Sequence, residues 1–75
     1  MDKLEQLLYS YARIAIKLET TGEASYKKTL GMFRMRLKEQ GVFVKTMKIE
    51  GEQVTLDLEV DGAPTTKRLP KPADS

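Results

Sequence analysis

The chain contains no cysteine and no histidine, and each absence closes a class of function. Without Cys there is no disulfide, no thiolate metal site and no thiol nucleophile. Without His, the commonest general acid or base is missing and no Ser–His relay can be assembled. No catalytic residue, cofactor or metal is expected, and the chain reads as non-enzymatic. Ser10, Ser25 and Ser75 lie outside any elbow motif, and Gly22 and Gly31 fit neither the Walker nor the dinucleotide spacing. No stretch approaches the ~20 consecutive apolar residues that cross a bilayer. The first residues, Met1 to Gln6, are acidic where a leader would be basic, so a cytoplasmic protein without a membrane partner is expected.

What remains is one small domain. With 75 residues, a chain buries only about 60% of the surface it exposes when unfolded, so packing must be unusually good or a partner must help. Thirteen basic residues stand against 11 acidic, a net charge of only +2, so overall charge names no partner and its local placement has to.

The stretch from Glu23 to Gln40 carries two patterns at once. At roughly 100° per residue, Tyr26, Leu30, Phe33 and Leu37 share a narrow helical arc, with Lys27, Arg34 and Lys38 stacked beside it and Lys28 and Arg36 further round. Before it, Asp2 and Glu5 form an N-terminal signature, and Leu4, Leu7, Leu8, Tyr11, Ile14, Ala15 and Leu18 recur at helical steps. Tyr9, Ala12 and Ile16 add a second stripe to that helix, which makes it central or dimer-forming. Thr20 and Glu23 read as a capping box opening the second helix, and Gly41 as its left-handed terminator.

After Gly41 the period becomes two. Val54, Leu56, Leu58 and Val60 alternate with Gln53, Thr55, Asp57 and Glu59, the pattern of a strand buried on one face. Val42 to Glu50 pairs with it through a two-residue Gly51–Glu52 turn of type II′, setting Ile49 against Val54, Met47 against Leu56 and Phe43 against Val60. Lys45 then falls on the apolar face, so it must snorkel or the strand must bulge. Asp61–Gly62 is a second turn, and Ala63 to Leu69 a weaker third strand suited to an edge.

The expected fold is α+β, two N-terminal helices on one face of an antiparallel hairpin or three-stranded meander. Residues 1–69 form the domain and 70–75 a flexible tail. The expected core comprises Leu4, Leu7, Leu8, Tyr11, Ile14, Leu18, Tyr26, Leu30, Phe33, Leu37, Phe43, Met47, Ile49, Val54, Leu56, Leu58 and Val60.

Three surface features compete for function. Lys27, Lys28, Arg34 and Lys38, joined by Lys67 and Arg68 if the tail crosses the second helix, would make one anion-attracting face. Tyr9, Ile16, Met32 and Met35 form apolar patches beyond the core arcs, fit for a homodimer or another protein. Asp57 and Glu59 project from one strand face, where a solvated surface is simpler than a cation or acid–base pair. The leading expectation is a regulatory or inhibitory protein that binds a protein partner through the apolar patches and basic stripe. The alternative partner is nucleic acid. The run Leu37 to Val42 followed by a hairpin resembles the end of the recognition helix and the wing of winged-helix DNA-binding domains. That resemblance implies a helix docked in the major groove and led by Ser25, Tyr26, Lys27 and Lys28.

Overall fold

The Glu5 N–H donates to the Asp2 carboxylate at 2.7 Å, satisfying one of the free amides at a helix start. From that cap the computed structural model, which describes residues 2–72, runs helix α1 (Lys3–Thr21) and then helix α2 (Ala24–Glu39). Strands β1 (Val42–Glu50), β2 (Gln53–Val60) and β3 (Ala63–Pro70) follow as an antiparallel sheet in the order β1-β2-β3. The expected α+β arrangement, with helices packed against the sheet, is the one observed.

The join between the helices differs from the capping box. Thr20 and Thr21 are still helical, and their hydroxyls donate back to the carbonyls of Ile16 and Lys17. Gly22 ends α1 at φ +70°, its N–H closing onto Leu18 C=O. A glycine can take that left-handed geometry without a Cβ clash, so it outcompetes a Thr cap two residues earlier. Glu23 then occupies the N-cap of α2 without a side-chain bond.

Both hairpin turns follow their chemistry. Gly51 has φ +61° in the two-residue Gly51–Glu52 turn, and Asp61 and Gly62, at φ 51° and +84°, make the doubly left-handed turn that matches sheet twist. The register holds for Ile49↔Val54 and Met47↔Leu56 and then shifts between Val44 and Thr46. Lys45 is the surplus residue of a bulge. Beyond it Val44 pairs with Leu58, Phe43 with Glu59 and Val42 with Val60. The expected Phe43↔Val60 pairing is therefore corrected: the bulge turns Phe43 out, at 49% exposed, and Val42 in, at 2%. The physical reason is that an inward Lys45 would have to carry its ammonium past apolar neighbours to reach water, whereas one unpaired residue moves Lys45 to the surface beside Glu59, 3.0 Å away.

Leu8, Tyr11, Ala12, Leu30, Leu37, Val42, Val54, Leu56, Leu58 and Leu69 form the buried core. Ala12, Val42 and Leu69 were not in the expected set; Tyr26 is only half-buried, and Phe43 and Ile49 are exposed. Ala12 is buried because α1 is central. Tyr11 lines the side toward α2, while Ala12 on the next arc is fully buried, with Tyr9 and Ile16 packed against the same cluster. The second stripe of α1 is thus partly covered within one chain. The tail boundary also moves. Pro70 belongs to β3, Lys71 N–H donates to Glu52 C=O at 2.7 Å, and Pro72 is buried. Residues 73–75 of the expected tail lie outside the described residues.

Two stability tests follow. Leu56→Ala, at a fully buried site in the middle strand, should cost about 2–5 kcal/mol by chemical denaturation. Val42→Ser should destabilise more than Phe43→Ser in the same assay, the reverse of the order that unbroken alternation along β1 would give.

Candidate interaction surface

The side of α2 that faces β1 collects features that are separate in the sequence. Arg34, Met35, Leu37, Lys38, Val42, Phe43 and Val44 line a cleft of about 190 Å³ between α2 and β1. Met35 is 67% exposed, and it shares the cleft with outward-turned Phe43. Arg34 also borders the next hollow along β1, where Leu30, Met47 and Ile49 meet Tyr11, Ala15, Leu18 and Glu19. One guanidinium thus stands between two partly apolar hollows. Ile49 is exposed there because the helices leave the far end of β1 open.

Arg34 is held in place. Its Nε and Nη2 lie 3.4 Å from the Tyr11 hydroxyl, donating to it, and its Cζ sits 5.9 Å from the centre of the Tyr11 ring. Tyr11 itself is 5% exposed, so the fork rests on a buried aromatic through long hydrogen bonds and a cation–π contact. Of the five N–H groups on a guanidinium, two point to the phenol and the other three remain for a ligand.

The basic residues do not form a single face. Lys27 and Lys38 flank Arg34 on one row of α2, and Lys28 and Met32 lie nearly opposite Leu30 round the helix. Lys67 and Arg68 are on β3, which β2 separates from β1, the strand that α2 packs against. They also part from each other, since Lys67 pairs with Leu56 on the helix-facing side and Arg68 with Thr55 on the outer side. Nor do the last described residues, Lys71 and Pro72, lie over α2. They border a cleft with Arg13, Ile16, Lys17 and Thr20 of α1. The joint anion-attracting face is corrected accordingly: the strand order sets its halves at opposite edges. The chain also has two helices among the described residues, so the winged-helix likeness stays confined to the α2–hairpin junction.

The carboxylates of β2 are engaged within the sheet. Asp57 accepts from the Thr46 hydroxyl at 2.8 Å and the Thr66 hydroxyl at 3.3 Å, while Glu59 pairs with Lys45. Among the described residues no group of three or more acidic side chains could hold a metal ion, and no helix is long and apolar enough to cross a membrane. Of the two expected core residues found exposed, Ile49 and Phe43, only Phe43 carried a signal in the sequence. The signal for it was Lys45, because placing the extra residue there turns Phe43 outward. No family profile, curated protein or solved structure matches this chain.

The Arg34–Tyr11 contact can be measured directly. Tyr11→Phe removes the phenol oxygen but keeps the ring, so stability should fall by roughly 0.5–1.5 kcal/mol or less, and the Arg34 Nε–H signal should shift and broaden in NMR spectra.

Proposed function

We propose that this chain is a small non-enzymatic regulatory or inhibitory protein that acts by binding a protein partner through the α2–β1 face. The observation that carries the reading is the convergence of Met35 and Phe43 in one cleft flanked by Arg34 and Lys38. Exposed methionine and aromatic side chains at such a site supply adaptable apolar contact, and the surrounding cations orient the partner. Asp57 and Glu59, occupied by neighbouring threonines and Lys45, support a binding role over a catalytic one.

A photo-crosslinking side chain at position 35 should trap a distinct protein in the cells that make this chain, and one at exposed Glu23 should not. The double variant Met35→Ser, Phe43→Ser, carrying no crosslinker, should keep its circular dichroism spectrum and no longer retain that partner in a pull-down. Unchanged capture by the double variant would overturn the assignment to this face. Nucleic acid is the competing reading. Duplex or single-stranded binding at about 50 mM salt, steeply weakened by added salt and abolished by Lys27→Glu with Lys38→Glu, would replace the protein partner with a polynucleotide.

A further inference from the structure

The two edges of the sheet are unequal. β3 carries Pro64 and Pro70, which lack the N–H that an added strand would need, whereas β1 runs nine residues without a proline. Because, among the described residues, β1 pairs with β2 alone, its other edge presents N–H and C=O groups with no strand beside them. The bulge at Lys45 interrupts that edge once, and from Thr46 to Glu50 the pairing with β2 is regular again. Natural sheets often protect such an edge with a covering element, and here the neighbouring hollow past Arg34 is open.

Charge decides what can lie there. Arg34 and Lys38 line the clefts beside β1 and Lys27 continues their row, with Glu19 the one acid lining the second cleft; Lys48 and Glu50 project from the outer face of the strand. The β1 strand of a second copy would bring Lys45 and Lys48 to this edge with one carboxylate, Glu50, so self-association is disfavoured. An extended segment with acidic side chains is favoured. Its alternate residues would point to one face, as in any strand, which suits the hollow lined by Met47 and Ile49 beside Arg34.

Resting on the protein-binding reading above, we propose that β1 accepts an acidic, extended segment of the partner as a fourth strand, with a partner carboxylate received by the three remaining N–H groups of Arg34. Backbone pairing along Thr46–Glu50 supplies the affinity common to strand addition, and the hollow selects alternate apolar side chains. The Tyr11 contact holds the guanidinium before binding, so less side-chain freedom is lost when the carboxylate arrives.

The test is to pan a random peptide library displayed on phage against the full chain. Enriched sequences should alternate Asp or Glu with apolar residues. A synthetic peptide of the most enriched sequence should slow amide exchange at alternate positions within residues 46–50. Arg34→Glu should weaken that peptide by about tenfold or more, and so should Lys38→Glu, whose exposed side chain lies outside the core; inserting proline at alternate peptide positions should abolish binding. Enrichment of basic or neutral peptides, helical binding without protection of β1, or unchanged affinity in both variants would overturn the fourth-strand proposal while leaving protein binding intact. A library with no enriched binder would overturn the fourth-strand proposal alone, because crosslinking at position 35 decides protein binding separately.

Discussion

The surplus residue at Lys45 governs which side chains of β1 reach the helices. The tight Gly51–Glu52 turn fixes the far half of the hairpin, with Ile49 and Met47 directed to the helix side. Carried on unbroken, the same alternation would place Lys45 and Phe43 inside and leave Val42 and Val44 outside. A one-residue bulge reverses this, burying Val42 against the core and releasing Phe43 to the surface. The gain is twofold in physical terms. A cation escapes an apolar interface, and the β-branched Val42 directly after the Gly41 turn is buried in the core instead.

That turn is itself constrained. Gly41 sits at φ +75°, and its carbonyl accepts from Asp61 N–H at 2.8 Å, linking the start of β1 to the turn between β2 and β3. A side chain added at Gly41 would run into the Asp61 carboxylate as well as meet the left-handed penalty. The position of α2 over β1 is therefore set by backbone geometry at its end, and its apolar arc only completes the packing. From this junction α1 is laid across the remaining sheet surface, burying Leu8 and Ala12 completely. A chain with so little core has few alternatives: one helix must serve both as partner to α2 and as cover for the sheet.

The interaction surface is a by-product of the same constraints. Phe43 is exposed because Lys45 is displaced, and it emerges beside Met35 because α2 turns into β1 within two residues. Arg34 belongs to the exposed basic row and is also tied to the interior, since its fork leans on a phenol that is almost wholly buried. Sequence periodicity shows Arg34 as one cation in a stripe with Lys27 and Lys38. Only packing distinguishes it, by bringing Tyr11 across from another helix.

Local physics was sufficient for much of this molecule. The helical periods of α1 and α2, the change to period two after Gly41, and the Gly51–Glu52 and Asp61–Gly62 turns each act within a few residues, so the order of elements and the antiparallel sheet were readable in advance. The bulge was readable as a choice at Lys45 but not as an outcome, because deciding it requires the cost of burying that lysine under helices whose placement depends on the whole chain. The same holds for the apolar stripes of α1. Tyr9, Ala12 and Ile16 look alike on a helical wheel whether they meet a sheet, a second copy or water, and only the three-dimensional arrangement lays the sheet and the Pro72 segment against that side. The amino-acid sequence determined the elements, the turns and the basic row; the tertiary structure decided the faces, because burial and proximity are properties of the assembled chain.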